Sequence, residues 1–390
     1  MKNSYFLSQP HQPFFVLAFT NAIVSIIAFM LFFKGVVMGE IPSSYYHAYS
    51  LFFLMFTPAF LAFLFTTFPR FLGTPVVEKI VYITILIPFT LGSFLFLVGS
   101  FSFSIISSIG MVITFIGHLL AVNILRKIYN ASTLDDKHDT FWILSAMSAG
   151  VVAHLLFLMA YFMGDGSILR LAEQVGVYLY LFFVTFTVAQ RMVPFFSNSM
   201  AEKDMHLLKK VGLLLVLHVV LETLLPHSSF FADFALVYVV GQELIKWDFA
   251  FPDANPLLWI MHLALFWVPT AFLLSGLTNV IALATGVNFL FLDIHTLVLG
   301  FVLTMLIGFG TRVTLGHSGN PLYADRWTVI LFYWTQIVVI SRIVMSIIVA
   351  FGWNFISWFD MTVTAWVVLF GIWAIRYFPV LIFGRRVGEK

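Results

Sequence analysis

Residues 288–311 read NFLFLDIHTLVLGFVLTMLIGFGT, and their character decides the fold class. Beyond Asp293 no formally charged side chain appears until Arg312. A run of about 20 apolar residues crosses the hydrocarbon core of a bilayer when coiled into a helix. Backbone groups in lipid must be paired within the segment, so such a run reads as helix. Working outward, comparable runs occupy roughly 14–38, 43–68, 77–99, 101–125, 140–163, 171–193, 207–225, 229–246, 256–277, 327–350 and 355–383, twelve in all. The run at 229–246 is the weakest, being short and holding Asp233, Glu243 and Lys246. The first run is too long for a signal-peptide core and is expected to remain as a helix. No connection is long enough for a separate domain. The expectation is an all-α polytopic membrane protein with 12 transmembrane helices, residues 1–390 forming a single transmembrane domain.

Composition supports the same solvent. Of 390 residues, 61% are hydrophobic and only 10% charged, against about 25% charged in soluble chains. Soluble enzymes, nucleic-acid binders and disordered scaffolds are excluded, and membrane lipid is the first partner. The formal net charge of +2 is too small to imply a polyanionic partner. Cysteine is absent, which removes disulfides, thiolate metal sites, iron–sulfur clusters and covalently attached c-type haem. Any metal must use imidazole, thioether, carboxylate or backbone oxygen.

Orientation follows from the basic residues, which concentrate on the cytoplasmic side of inner-membrane proteins. With twelve spans, 17 of the 20 Lys and Arg fall on the side that holds both termini. Lys34 and Arg170 fall on the other side, and Arg342 within a span. Both termini are therefore expected in the cytoplasm. Glu40, Asp165, Glu173, Glu222, Asp233, Asp293 and Asp360 give an acidic outer rim. Such a rim completes the charge asymmetry, and it also raises the local concentration of cations.

Spans two, six and ten share an outline. Each has a polar outer end (Tyr46-His47, Glu173-Gln174, Asp293-Ile294-His295) and a long apolar middle. Each ends on an inner Arg: Arg70, Arg191 or Arg312. The four-span spacing suggests three four-helix units.

Polar side chains within a bilayer are functional candidates because they are expensive to place there. Six of the eleven histidines lie in spans: His47, His118, His154, His218, His262 and His295. Imidazoles without thiolates suit haem or copper. A lone His in a span is more often a hydrogen-bonded packing residue, so position must narrow the set. His295 and His47 lie at matching depth, some 6–10 Å below the outer edge at about 1.5 Å per residue. They are the candidate axial ligands of one haem b, with Asp293 placed to orient an imidazole N–H. His118 and His262 lie nearer the inner face. His154 and His218 fall in the outer halves of spans five and seven and are candidate copper ligands; the competing reading has each bonded to a neighbouring helix. The stretch 308–321, GFGTRVTLGHSGNP, has room for a tight turn with exposed N–H groups. With Arg312 and His317 it is a candidate anion or cofactor contact, although an ordered inter-helix turn explains it as well.

The stretch 295–321, HTLVLGFVLTMLIGFGTRVTLGHSGNP, resembles the signature of the NnrS family. So do HQPFF at 11–15, YHAYS at 46–50 followed by FTTFPR at 65–70, and QRMVPFF at 190–196. They occur in the family's order and cover essentially the whole chain. The resemblance implies a twelve-span bacterial inner-membrane protein containing haem and copper, associated with nitric oxide, nitrosative stress and denitrification. His47, His295, Arg312 and His317 match the pattern. Tyr49 and Ser50 stand where many members have His and Glu, so copper binding in this chain is an open alternative to a copper-free member. Asn320 stands for the usual Arg between Gly and Pro. A more distant likeness is to the catalytic subunit of haem–copper oxidases and nitric oxide reductases, whose twelve spans form three arcs with a haem held between spans two and ten. Span six here has no His, which argues against an oxidase-type copper centre. The function expected is haem-based binding or redox turnover of nitric oxide or a related small molecule, with no electron donor specified. The alternatives are a transporter of a metal ion or small ligand and a non-enzymatic sensor subunit.

Overall fold

The computed structural model describes residues 5–251 and 255–387, and among these every regular element is helical. Lys2 and Lys390, which count toward the inner charge, lie outside the described residues. Each apolar run becomes one helix: α1 His11–Phe33, α2 Ser43–Phe71, α3 Lys79–Gly99, α4 Ser104–Ala131, α5 His138–Met163, α6 Gly166–Phe196, α7 Leu207–Leu224, α8 Phe230–Trp247, α9 Pro256–Thr285, α10 Leu292–His317, α11 Arg326–Ala350 and α12 Ile356–Phe383. Ten of them are long and apolar enough to cross a membrane. The other two, α7 and α8, have 18 residues each and carry charged side chains.

Local chemistry sets several ends. Asn255 precedes Pro256 and accepts from the Leu257 N–H at 3.0 Å, the expected combination of cap and first-turn proline. Asp325 does the same for α11, accepting from Thr328 N–H at 3.0 Å. Gly164 and Gly286 end α5 and α9 in the left-handed conformation that glycine adopts without strain. Ser43 is the first helical residue of α2, with Pro42 ahead of it.

Two compact units result. The first comprises Met1–Leu169, Gly310–Leu322 and Trp366–Lys390. Within it α3 and α4 pack closely because small residues face each other. A Cβ on Gly92 would stand 2.8 Å from the Gly110 carbonyl oxygen, and one on Gly110 2.5 Å from the Phe96 nitrogen. Late segments of the chain return to α1: Trp366 Nε1 donates to the Ala22 carbonyl at 2.9 Å, and the Trp373 ring lies 4.3 Å from that of Phe19. The second unit comprises Arg170–Phe309 and Tyr323–Ala365. There α7, α8 and α9 form consecutive antiparallel neighbours, and α6 packs on α10.

Helices α2, α6 and α10 differ from the rest. The most apolar stretch of α2 is 94% buried, and those of α6 and α10 are 83% buried, against 33% for α3. Each contains a π-helical segment: Ser50–Phe56, Val175–Phe182 and Thr296–Leu303. The three helices with a shared outline thus share a rare backbone feature in their N-terminal halves. π-Bulges recur at functional sites because the widened turn redirects side chains. Two of the segments end identically: Thr57 Oγ1 donates to the Phe52 carbonyl at 2.8 Å, and Thr304 Oγ1 to the Leu299 carbonyl at 3.0 Å. Both hydroxyls reach a carbonyl five residues back, where the wider turn takes a carbonyl away from its usual α-helical partner.

Candidate functional site

His47 and His295 each stand ahead of a π segment. His47 lies three residues before Ser50, half-buried, with its ring centroid 4.3 Å from that of Phe29. His295 directly precedes Thr296 and is also half-buried. Its Nδ1 is 2.8 Å from the Phe291 carbonyl oxygen. The same nitrogen faces a guanidinium, so Nδ1 either donates to this carbonyl or accepts from Arg342 Nη2, according to the tautomer. With Nδ1–H donated to the carbonyl, Nε2 carries the lone pair that a metal ligand needs. Arg342 approaches the same ring to 3.1 Å. Its guanidinium is itself held by the Leu290 carbonyl at 2.9 Å and by the Ser346 hydroxyl. An arginine placed within span eleven by the sequence is therefore a fixed cation beside His295. The group that orients the imidazole here is the Phe291 carbonyl. Asp293 instead accepts from Tyr178 Oη at 3.2 Å.

In the first unit His154 is fully enclosed. Its Nε2 is 2.8 Å from Tyr49 Oη and its Nδ1 is 3.3 Å from His118 Nδ1. The Phe53 ring stacks on it at 3.8 Å. His118 is equally buried. It lies at mid-helix, because α4 runs from Ser104 to Ala131 rather than over 101–125; the longer helix moves it away from the inner end where the sequence put it. Tyr49, one of the departures from the family pattern, therefore contacts an imidazole, filling with a hydroxyl a place where many members have a histidine. The close pair His118–His154 was invisible in the sequence, since its partners come from different helices.

In the second unit His218 Nδ1 is 2.6 Å from Asp233 Oδ1, both wholly buried. The Tyr178 ring lies over His218 at 3.8 Å. One signal for this pair was available: an intramembrane carboxylate must find a partner, and Asp233 sits just across a short connection from His218.

The glycine-rich inner stretch is helix as far as His317, and its N–H groups up to that point belong to the helix rather than to an open anion cradle. The glycines serve packing: a Cβ on Gly308 would lie 3.1 Å from Ile260 and Met261 side chains. The turn comes later, at Ser318–Asn320, with Gly319 at φ +71°. Arg312 is half-buried in α10. His317 Nδ1 is 2.9 Å from Gln9 Oε1, and its ring centroid is 5.0 Å from that of His11. His11 is 2% exposed, and its Nδ1 has no hydrogen-bond partner among the described residues. Two motif stretches at opposite ends of the sequence, HQPFF and GHSGNP, thereby meet in one unit.

A comparison with curated proteins gives no match. The family model described as NnrS protein matches residues 5–385, nearly the whole chain, and the chain belongs to the NnrS family.

Proposed function

We propose that this chain is a haem-binding protein of the bacterial inner membrane that acts in the response to nitric oxide, with His295 and His47 as imidazole ligands of a b-type haem and copper as a second candidate cofactor. Membership of the NnrS family supports this reading. The observation that supports the ligand assignment is the contact of His295 Nδ1 with the Phe291 carbonyl, which holds the ring by the nitrogen other than Nε2. His47 has the matching place ahead of its own π segment. When bound, the haem iron would supply a one-electron couple. The chain's own residues hold and orient: the Phe291 carbonyl and the Arg342 guanidinium both meet His295 Nδ1, Arg342 adds a positive charge there, and the apolar helices exclude water.

The same reading takes all twelve helices as spans with both termini cytoplasmic. Helices α7 and α8, at 18 residues, are about 27 Å long and sit near the lower limit for a core of about 30 Å.

A visible spectrum and metal analysis of the purified protein test the proposal. Wild type should show a low-spin b-type haem. His47→Ala and His295→Ala should each lose haem or change its spin state, while His138→Ala should retain it. Wild-type protein without haem absorbance would overturn the reading in favour of transport.

A further inference from the structure

Arg342 is a buried charge without a counter-charge in contact. It lies in α11, whose length and apolarity suit a membrane span, and it is 6% exposed. Its Nη2 donates to the Leu290 carbonyl at 2.9 Å and stands 3.1 Å from His295 Nδ1, and its Nη1 donates to the Ser346 hydroxyl. None of these partners is an anion. Among the described residues no carboxylate forms an ion pair with it. Asp293 is near enough for its charge to bear on the guanidinium, yet its Oδ2 accepts from Tyr178 Oη at 3.2 Å instead.

A guanidinium does not shed its proton in a protein. A buried charge is costly unless an opposite charge meets it, and an ionisable group at membrane depth marks a ligand site for that reason. The backbone is strained in the same place. Leu290 and Phe291 take the left-handed conformation, with φ +46° and +54°, which bulky residues rarely adopt. Such strain persists only where neighbours hold it, and it gathers at ligand sites. Here Arg342 and Ser346 both hold the Leu290 carbonyl. The place is also open on one side: Phe291 is 57% exposed, and His295 is half-buried.

We propose that Arg342 binds a carboxylate of the ligand that His295 holds, which on the haem reading above is a haem propionate. The inference rests on that reading, and among the protein's groups on the second unit alone. Haem b carries both of its carboxylates along one edge of the macrocycle. A guanidinium has five N–H donors in a planar fork that matches a carboxylate, and the three contacts here leave donors to meet one. The pairing neutralises a charge that the chain itself leaves without an ion pair. It also fixes which edge of the macrocycle faces α11. Arg342 is thus a ligand-binding residue, and the Leu290 carbonyl and Ser346 hydroxyl hold its side chain in place.

The test compares haem with its dimethyl ester, in which both carboxylates are capped, each loaded into the full chain in lipid nanodiscs. The quantity read is the rate at which each is lost to a soluble haem scavenger, followed by visible absorbance. Wild type should release the ester at least about tenfold faster than haem, the weight of one hydrogen bond to a charged group. Arg342→Gln should bring haem to the ester's rate and leave the ester's own rate nearly unchanged, while Arg342→Lys, which keeps the charge, should retain most of the difference. The comparison is made between variants, so the ester's affinity for lipid cancels. An arginine that only clamps the Leu290 carbonyl gives another pattern: Arg342→Gln speeds both losses equally and the ratio stays at its wild-type value. That result overturns the inference and leaves the haem reading standing, whereas a wild type that takes up neither haem nor ester overturns both. Where Arg342→Gln fails to fold, infrared spectra of wild type loaded with haem carrying carbon-13 carboxylates decide. Carboxylate stretches shifted from those of solvated propionates support the pairing, and stretches at the solvated positions overturn it.

Discussion

Asp233→Ala removes the acceptor of His218 Nδ1 and of Ser275 Oγ, at 2.6 and 2.8 Å, from a site with no exposed surface. Ser229 retains Glu222 as an alternative acceptor at 3.0 Å, so two donors rather than three are stranded. An unsatisfied buried donor costs about 1–3 kcal/mol, and breaking one side of a buried polar pair costs about 3–5 kcal/mol. The two routes agree on a loss of about 3–5 kcal/mol for Asp233→Ala. Asp233→Asn keeps the shape. Its carboxamide oxygen can still accept from His218, and its NH2 can donate to the Ser275 and Ser229 hydroxyls, which rotate to accept. That variant should lose only about 1 kcal/mol. Reversible unfolding in mixed micelles, followed by the fluorescence of the 10 tryptophans, measures both. An alanine variant within about 0.5 kcal/mol of wild type, the range of an ordinary surface substitution, would refute the reasoning. So would an asparagine variant as damaged as the alanine one, since the site would then need the charge itself rather than its hydrogen bonds.

Reporter fusions at Lys137 and Lys203 should score cytoplasmic and one at Asp165 periplasmic; a periplasmic score at Lys203 would break the twelve-span topology. Copper measured in wild type and in a His154→Ala/His218→Ala double variant decides whether either buried imidazole holds that metal. Equal copper removes them as essential ligands, and none in wild type removes copper from this chain. Gly92→Ala should destabilise the first unit by about 1–3 kcal/mol, because its Cβ would press on the Thr114 hydroxyl and on backbone atoms of Gly110 and Thr114, and the backbone atoms cannot swing aside. The unfolding assay used for Asp233 checks it, and a neutral result would mean that α3 and α4 separate easily.

Every apolar run became a helix, since length and apolarity alone determine that outcome in lipid. The kinship of spans two, six and ten was legible from their polar ends. Their π segments were not, because residues such as Leu51 or Val298 look the same to hydropathy whether a carbonyl is met four or five residues on. Depth singles out His295 in the sequence, but the oxygen that meets its Nδ1 is a backbone carbonyl, and no side-chain pattern announces a backbone acceptor. Asp233 carried its own clue, yet in the sequence it reads only as a mark against span eight and as one member of the acidic rim. Its partner lies on α7, and the hairpin α7–α8 brings the two together. His118 and His154 belong to two long helices whose rotation about their axes the sequence does not specify, so their meeting could not be read in advance.

A π segment is in effect an α-helix with one residue too many. Removing a residue from Ser50–Phe56 and closing the helix as regular α would rotate one flank against the other by about 100°. His47 and the FTTFPR end of α2 would then no longer share their present angular phase, though the helix would be only about 1.5 Å shorter. The middle of each of these three helices therefore behaves as a clutch between its two ends. A single-residue gap there would count for more than a loop insertion many times longer, since it would re-aim an imidazole without altering one side chain around it.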